Sequence, residues 1–477
     1  MGFRQKAKGW NTFVGTPSHD FKPGSASDFG YGARTVSVPL PEVFHMSSKN
    51  ATRRDLLKAG AAIAATSAIS APVGAFAQGS DTIKVGLIGC GGRGSGAVDN
   101  VLSAARNITI HAVGDALEFQ AKGAGQRLAN KAKEDAAKLG EMNNKIDLGD
   151  RIFSGLDAFQ KVIDSGVNYV ILATPPAFRP VHIKAAVEKG VNIFTEKPVA
   201  VDGPGIRSVM ESFEKAKGKN LGIAAGTQRR HQLGYIETIK KLHEGEIGDI
   251  ITGQVYWNQG LLWSRPRREG MTDLEYQMWN WYNFTWICGD NVVEQHVHNL
   301  DVLNWVFKEH PTAVVAMGGR SRNNPAFGNV YDFFSADLEY SGNRHCISQA
   351  RQISNCWSSV SEHVQGTKGK CQVNNYTING KQILTKQQAR ASTDPYIQEH
   401  TDLIESIRAG KPINELQTVA ESTLTAIMIR MSAHTGARVT WDQAVNSQEQ
   451  LLDVANLSKD MKIPEWKTPV PGTTKFV

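Results

Sequence analysis

Cysteine is scarce in this sequence, and the few cysteines form no regular pattern. The five stand at positions 90, 288, 346, 356 and 371. A disulfide framework needs an even number of cysteines at regular spacings, so this odd, scattered set does not indicate one. Zinc-finger spacing of Cys and His is also absent from the sequence.

A long, strongly apolar run is missing as well. The most apolar stretch, residues 59–75, is Ala-rich and too weak to span a bilayer, which requires ~20 strongly apolar residues. The formal net charge is +7, but residues 1–77 hold nine basic and four acidic residues and so supply +5 of it. The rest of the chain is only weakly basic and has no long basic run, so we expect no nucleic-acid partner and no stable membrane span.

The N-terminal region contains a pattern typical of protein export. Residues 52–58 have the sequence TRRDLLK, the Ala-rich run follows, and Ala75-Phe76-Ala77 comes after it. These are the charged region, apolar run and cleavage site of a secretory signal, and the Arg-Arg pair indicates the twin-arginine pathway. We predict a disordered extension over residues 1–45 and a twin-arginine signal over 46–80. The translocase would then be a transient partner and the location periplasmic or otherwise exported; the alternative is an amphipathic helix with a chance Arg-Arg pair.

A dinucleotide-binding loop follows this region. Residues 82–88 predict a strand, Gly89-x-Gly91-x-x-Gly94 comes next, and residues 108–115 predict a second strand. The glycines of such a loop allow a tight turn and bring a pyrophosphate close to a helix N-terminus. Asp115, 21 residues after Gly94, can bind ribose hydroxyls and would repel a 2′-phosphate, which favours NAD over NADP. A Gly-rich surface turn is the alternative. The expected cofactor contacts are Gly89, Gly91, Gly92, Arg93, Gly94 and Asp115.

The next βα unit supports the same interpretation. Residues 168–173 predict a buried parallel strand, and Thr174-Pro175-Pro176 ends it at the carboxyl edge, where cofactors lie in such sheets. A helix, a strand over residues 192–195 and Glu196-Lys197-Pro198 follow. The further cofactor contacts expected here are Thr174, Pro175, His182, Glu196 and Lys197.

Together with three later motifs, these elements make the chain similar to the Gfo/Idh/MocA oxidoreductases. The later motifs are GTQRR at 226–230, GEIG at 245–248 and EQHVHNLD at 294–301. The resemblance covers residues 82–440 and implies an α/β fold. An N-terminal Rossmann NAD-binding domain (81–201) would precede an α+β substrate and oligomerisation domain with an open, largely antiparallel sheet (202–440). A C-terminal arm (441–477) would lie against a neighbour or be loose, in a homo-oligomer, either a dimer or a tetramer.

The resemblance also implies catalytic roles. Lys197 would lie near the nicotinamide ribose and a substrate hydroxyl, and His298 would be the acid/base that takes the hydroxyl proton. The chemistry agrees, because a His suits proton transfer near neutral pH and a Lys stabilises a developing alkoxide. Two positions depart from the family pattern: Glu294 replaces the usual Asp, and His296 replaces the usual Gly.

The departures leave three interpretations of this segment. In a helix, Glu294 would lie one turn before His298 and could orient it. In a strand, Glu294, His296 and His298 would share one face and could bind a metal such as Zn²⁺, although we expect no metal. A solvated polar face is the third interpretation.

The region from Tyr256 to Trp286 holds five of the ten Trp residues, with Arg265, Arg267 and Arg268 among them. Such a cluster suits sugar binding, a core or subunit interface, or, least of all, single-stranded nucleic acid. Its length indicates a long loop over the site. The expected substrate residues are Lys197, Gln228, Arg229, Arg230, Trp257, Trp281, His296 and His298.

These features predict an exported NAD-dependent oxidoreductase that oxidises a secondary hydroxyl of a sugar, glycoside or polyol. Export to a compartment without an NAD supply predicts a tightly bound cofactor. One alternative is an NAD-dependent glycoside hydrolase or lyase that acts by transient oxidation and elimination. It needs an extra base, for which Tyr256, Tyr282, Glu294 and His296 are candidates. A non-catalytic sugar-binding protein is the second alternative.

Overall fold

The computed structural model describes residues 81–322, 324–464 and 467–477. The predicted extension over 1–45 and the predicted twin-arginine signal over 46–80 lie outside these residues. Both therefore stay predictions.

The first sheet has seven strands, all parallel, in the order β3-β2-β1-β5-β6-β7, with β4 pairing beside β3 on β2. Every residue of β5 and β6 is buried, as expected for strands covered by helices on both faces. The strands are β1 Ile83–Ile88, β2 Ile108–Asp115, β3 Lys145–Ile146, β4 Ile152–Ser154, β5 Tyr169–Leu172, β6 Asn192–Thr195 and β7 Ile223–Ala225.

Helices connect these strands in the βαβ manner, and the sheet continues beyond residue 201 because β7 pairs with β6. The helices of this part are α1 Gly92–Ala104, α2 Glu118–Glu134, α3 Ala136–Glu141, α4 Ala158–Asp164, α5 Arg179–Lys189 and α6 Gly203–Gly218.

The second sheet has nine strands in the order β15-β14-β13-β12-β8-β11-β10-β9-β16. All neighbouring pairs are antiparallel except β8 and β11, which run parallel. The strands are β8 Ile250–Gln259, β9 Ala313–Gly319, β10 Phe333–Tyr340, β11 Arg344–Gln352, β12 Ser359–Gly366, β13 Gly369–Gln372, β14 Thr377–Ile378, β15 Lys381–Gln382 and β16 Val439–Thr440. The prediction of a Rossmann domain followed by a domain with a mixed, largely antiparallel sheet is confirmed.

Helices cover one face of this sheet and join it to the first domain. The long helix Leu416–Thr435 packs on β9 and also on α6 of the first domain, and Pro395–Arg408 packs on α1. The helices of this part are α7 Leu233–His243, α8 Asp273–Trp279, α9 Thr285–Cys288, α10 Val297–Phe307, α11 Lys386–Ala391, α12 Pro395–Arg408, α13 Leu416–Thr435 and α14 Trp441–Asn446.

A third core, separate from the two larger apolar clusters, joins distant parts of the chain. It combines Leu117 and Phe178 of the first domain with Trp286 and with Ile463 of the C-terminal arm. Part of the arm therefore packs on its own chain, and its expected contact with a neighbour stays a prediction. The Tyr331 hydroxyl also donates a hydrogen bond of 2.7 Å to the Pro469 carbonyl of the arm.

Two observations bear on the expectations from composition. Each of the five cysteines is a free thiol. Among the residues that the structure describes, no helix combines the length and apolarity needed to cross a membrane.

Candidate functional site

The glycine loop joins β1 to α1, and two of its glycines are required by packing. Gly89 has a φ of +97°, and a Cβ added there would lie 2.6 Å from the backbone of Ala173. A Cβ on Gly94 would lie 2.0 Å from the Gly89 carbonyl oxygen, so only glycine lets the helix approach the strand this closely.

The other two glycines of the loop border open space. A Cβ on Gly92 would meet nothing within 4 Å, and one on Gly91 would meet only the Gln120 amide nitrogen at 3.8 Å. Both stand at the N-terminus of a 13-residue helix, where backbone N–H groups and the helix dipole favour an anion. The loop therefore fits a dinucleotide pyrophosphate.

Asp115 ends β2 beside this loop. Its two carboxylate oxygens accept hydrogen bonds from the backbone N–H of Cys90 at 2.7 Å and of Leu117 at 2.9 Å. Burial raises the pKa of Asp115, and the two N–H groups oppose that rise. The carboxylate is thus fixed in place, and its remaining lone pairs can bind ribose hydroxyls.

A cavity of about 510 Å³ begins at this loop, a size typical of ligand sites. It brings most of the predicted cofactor and substrate residues together. Its lining includes Gly89, Gly91, Gly92, Arg93, Gly94, Asp115, Thr174, Pro175, His182, Glu196, Lys197, Gln228, Arg229, Trp257, Trp281, Glu294 and His298.

Lys197 and Glu294 form a buried ion pair in this cavity. The Lys197 ammonium donates to the Glu294 backbone carbonyl at 2.8 Å and to its Oε1 at 3.2 Å. Burial raises the pKa of Glu294, although the positive charges of Lys197 and Arg179 oppose this. The ammonium is therefore held at one place, where it can also donate to a ligand oxygen.

His298 lies in the first turn of α10, and its ring stacks on Trp257 with the centroids 5.8 Å apart. The ring forms no hydrogen bond to any residue within the described ranges. Burial, together with the charges of Lys197 and Arg229, lowers the pKa of His298 well below its usual value. The imidazole is thus neutral at neutral pH and can accept a proton.

Beneath the glycine loop lies a second buried charge cluster. Arg93 pairs with Glu196, and its guanidinium also donates to Glu399 at 3.0 Å. Glu399 belongs to α12, so this pair links the loop to a helix far along the chain. A Cβ on Gly226 would lie 2.4 Å from Glu196 Oε2, which explains the glycine there.

Two family models match this chain. The model described as "Oxidoreductase family, NAD-binding Rossmann fold" matches residues 83–223, and the "GFO/IDH/MocA C-terminal domain" model matches residues 236–372. Together the two matches span more than half of the chain.

The chain belongs to the Gfo/Idh/MocA oxidoreductase family. Its first domain is the NAD-binding Rossmann domain of that family, as the sequence predicted.

Curated relatives of the family show moderate similarity over part of their length. Inositol 2-dehydrogenase 1 of Saccharopolyspora erythraea is 28% identical over 170 residues, which are 36% of this chain and 44% of the relative. The 2,7-anhydro-N-acetylneuraminate hydratase of Mediterraneibacter gnavus is 23% identical over 262 residues, which are 52% of this chain and 64% of the relative. The chain thus spans less than two thirds of either relative.

A solved family structure has the same fold. Scyllo-inositol dehydrogenase from Lactobacillus casei, with bound NAD(H) and scyllo-inositol, aligns with a TM-score of 0.56 and 17% sequence identity. The alignment covers 76% of this chain and 99% of that one.

The family's histidine motif is helical in this chain, which decides between the interpretations of this segment. Residues Val292–His296 form a π-helix that continues into α10, so Glu294, His296 and His298 do not share a strand face. Glu294 pairs with Lys197 and makes no hydrogen bond to His298, so it does not orient that ring. Among the residues described, no group of three or more His, Cys, Asp or Glu could hold a metal.

Two predicted substrate residues do not line the cavity. His296 is fully buried, its Nε2 lies 2.7 Å from the Ser348 hydroxyl, and burial lowers its pKa to about 3. Arg230 forms a two-pronged ion pair with Asp301, at 2.9 Å for each prong. Neighbouring Arg229 does line the cavity, and its guanidinium also pairs with the fully buried Glu362 at 2.7 Å.

Several lining residues were not predicted as site residues. Arg179 is buried at the start of α5 and donates to the Pro198 carbonyl, and no motif marks it in the sequence. Other unpredicted lining residues include Trp263 of the aromatic region, Gln295 of the histidine motif, Gln120 and Phe159 of the first domain, and Tyr396 of α12. The Trp-rich composition of the aromatic region could have identified it as a wall of the site, but not which of its rings face the cavity.

The aromatic strap, which we define as residues 260–286, closes the cavity on the side of Asp115. Arg268 lies between the rings of Phe119 and Trp279, at 4.2 Å from each centroid. Arg265 lies between Trp263 and Trp279, at 4.1 and 4.0 Å. Phe119 is in the first turn of α2, so these cation–π contacts join the strap to the first domain beside the expected ribose site.

Proposed function

We propose that this protein oxidises a secondary hydroxyl of a sugar, glycoside or polyol. The observation that carries the proposal is that Lys197 and His298 line the same cavity as the glycine loop and Asp115. The names of the inositol dehydrogenase relatives support a cyclic polyol or sugar as the substrate class.

The residues divide the chemistry as follows. Bound NAD supplies the hydride acceptor. The neutral ring of His298 takes the proton from the substrate hydroxyl through its unprotonated nitrogen. Lys197 donates to the same oxygen and stabilises the negative charge that develops on it, held in position by Glu294. Trp263, Trp279 and Trp281 of the strap line the cavity, and these apolar rings strengthen the charge interactions beside them.

We further propose that NAD stays bound between turnovers. The third core and the paired Arg–Trp contacts tie the strap and the C-terminal arm to the first domain beside the cavity. A cofactor held in this way suits an exported enzyme, since a twin-arginine substrate crosses the membrane folded and can carry NAD with it. The TRRDLLK motif supports export, and detection of the protein in the periplasmic fraction would test it.

A homo-oligomer belongs to the same proposal. On the sheet face away from the helices, Val315, Met317, Phe333 and Ile347 are between 39% and 75% exposed on β9, β10 and β11, with Ser335 and Asp337 between them. Exposed apolar side chains gathered on one sheet face support an interaction surface there. Met317→Glu should lower the molar mass measured by light scattering, and an unchanged mass would exclude this face as the interface.

The experiment that tests the proposed oxidation uses the purified protein with its bound cofactor. Addition of glycosides and inositols should produce the absorbance of reduced nicotinamide, together with a keto-sugar identified by mass spectrometry. Lys197→Met and His298→Asn should each slow the reduction by roughly 100-fold or more. Lys189→Met, at a half-exposed lysine, is the matched control and should react normally. If neither sugars nor polyols reduce the bound NAD, the proposed oxidation is wrong and a non-catalytic sugar-binding protein becomes the better interpretation.

A second candidate function is that of a glycoside hydrolase, lyase or hydratase that acts through transient oxidation and elimination. The hydratase name of one relative favours keeping it. Release of an aglycone or water without net formation of reduced NAD would identify this reaction in the same assay.

A further inference from the structure

One oxygen of the Glu294 side chain is buried without a hydrogen-bond partner. The side chain is 4% exposed and lines the cavity. Its Oε1 accepts hydrogen bonds from Lys197 at 3.2 Å and from the Tyr282 hydroxyl at 3.4 Å. Its Oε2 has no hydrogen-bond partner among the described residues. Buried carboxylate oxygens usually have a hydrogen-bond partner, so an unpartnered oxygen on a side chain that lines the cavity requires a physical reason, and a bound substrate would supply one.

The partners of Oε1 hold the carboxylate rigidly. Gln295 Nε2 donates to the Tyr282 hydroxyl at 2.5 Å, which leaves the hydroxyl proton to point at Glu294. The Tyr282 ring stacks on Trp281 with centroids 4.1 Å apart and meets Trp263 edge-on at 4.8 Å. Burial raises the pKa of Tyr282 well above its usual value, so this residue is a donor and not a base.

The other candidate bases from the sequence are placed elsewhere. The Tyr256 hydroxyl donates to Gln254 on the outer side of the sheet, and Tyr256 is absent from the cavity lining. His296 is fully buried against Ser348. Of the four side chains considered, Glu294 alone combines a position in the cavity, an acceptor oxygen without a partner and a fixed geometry.

We propose that Glu294 is a second base, which removes a C–H proton from the carbon next to the oxidised carbon. This inference rests on the proposed oxidation, which places a ketone in the cavity. The C–H electron pair forms the C=C bond of an enolate, the carbonyl oxygen becomes an oxyanion held by Lys197, and Glu294 becomes a carboxylic acid. Return of the proton reverses the step.

The same step makes a second activity possible when an oxygen substituent is attached to the carbon beyond the deprotonated one, counted from the ketone. The enolate oxygen then re-forms the carbonyl, the C=C electron pair of the enolate shifts to a new C=C bond to the carbon that carries the substituent, and the C–O bond on that carbon breaks. The departing oxygen takes the proton that His298 removed from the substrate hydroxyl. Atoms and charges balance with these two residues alone. His298 thus transfers the O–H proton and Glu294 transfers the C–H proton. With both residues the site can catalyse elimination and hydration in addition to oxidation.

The electrostatics fit this division of work. Burial raises the pKa of Glu294, which makes its carboxylate a stronger base at neutral pH than an exposed Glu. The Lys197 ammonium lies against the same carboxylate, so it is placed to hold the enolate oxygen next to the base that forms it.

The test supplies the ketone directly. The protein with its bound oxidised NAD is mixed with 2-inosose or a methyl 3-keto-glucoside in D₂O, and deuterium at the carbon next to the carbonyl is followed by NMR. Because no hydride moves in this assay, it is independent of the proposed oxidation. Wild-type protein should exchange the proton well above the buffer rate, and the rate should fall as the pH drops through the pKa of Glu294.

Glu294→Gln should reduce the exchange by roughly 100-fold or more, the usual contribution of a general base. Glu211→Gln, at an exposed position, is the matched control. Melting temperature and NAD content show whether each variant is folded and loaded, and Glu294→Asp, which keeps the carboxylate, should restore part of the rate. Exchange that persists in folded Glu294→Gln would overturn the inference. So would a wild-type protein that reduces its NAD with sugars but exchanges neither ketone, and that result would leave the proposed oxidation intact.

Discussion

Two neighbouring glycines of the dinucleotide loop should respond to the same substitution in opposite ways. A Cβ on Gly94 would stand 2.0 Å from the Gly89 carbonyl oxygen, more than 1 Å inside a normal contact, so α1 must move away from β1. Overpacking of this kind costs about 1–3 kcal/mol. A Cβ on Gly92 would meet no protein atom within 4 Å.

Gly94→Ala should therefore lower the melting temperature of the protein stripped of NAD by several degrees, since 1 kcal/mol corresponds to about 2–4 °C in domains of 150–250 residues. Gly92→Ala should leave that temperature unchanged or raise it slightly, because Ala is the better helix former. The methyl group added in Gly92→Ala would instead occupy the space expected for the pyrophosphate. The stabilisation that NAD provides, about 2.7 kcal/mol at 100 times Kd, should then be lost in Gly92→Ala.

Thermal unfolding of the three proteins with and without added NAD measures both effects. The reasoning fails if stripped Gly94→Ala melts with the wild type. It fails equally if NAD raises the melting temperature of Gly92→Ala as much as that of the wild type, since the pyrophosphate then does not use this space.

Three other predictions concern residues outside the hydride-transfer centre. Trp279→Ala removes the ring shared by Arg265 and Arg268, so NAD should dissociate faster when an unlabelled chase displaces radiolabelled cofactor; Trp357→Ala, at an exposed ring, should not change the rate. Burial opposes protonation of His231, but Asp402 and Glu415 raise its pKa to about 10. The stabilisation from this imidazolium should thus be complete below pH ~6.5 and lost as the pH rises through about 10, by up to roughly 5 kcal/mol. Chemical denaturation of the wild-type protein at a series of pH values should show that loss in the free energy of unfolding. The His231→Gln variant should not show it. Arg230→Leu leaves Asp301 buried without its cation and should lower the free energy of unfolding by about 3–5 kcal/mol. The folded fraction of Arg230→Leu should still oxidise substrate with an unchanged KM. A rise in KM without a loss of stability would instead show that Arg230 contacts the substrate.

The parts of the site that the sequence predicted depend on local spacing. Gly89 follows the end of β1, Gly94 lies in the first turn of α1 and Asp115 ends β2, an order that follows from the βαβ pattern, and all three line the cavity. Lys197 follows a buried strand directly and is likewise fixed by its neighbours in sequence.

The missed features depend on contacts that spacing does not encode. Arg229 and Arg230 are adjacent in a short 3₁₀ turn, and only the packing of that turn decides which of them faces the cavity. The alternation of Glu294, His296 and His298 suits a strand, but apolar packing against Leu416–Thr435 keeps this segment helical. Arg179 carries no local signal, because its guanidinium is bonded to the Pro198 carbonyl after the next strand.

The third core has a consequence for the order in which the protein assembles. Leu117 lies two residues after Asp115, the acid that ends β2, whereas Ile463 comes more than 300 positions later, yet both belong to this one core. During synthesis the glycine loop and Asp115 can fold long before residues 451–463 leave the ribosome. The packing behind Leu117 and Phe178, two residues that line the cavity, is therefore completed only after the nucleotide loop has formed.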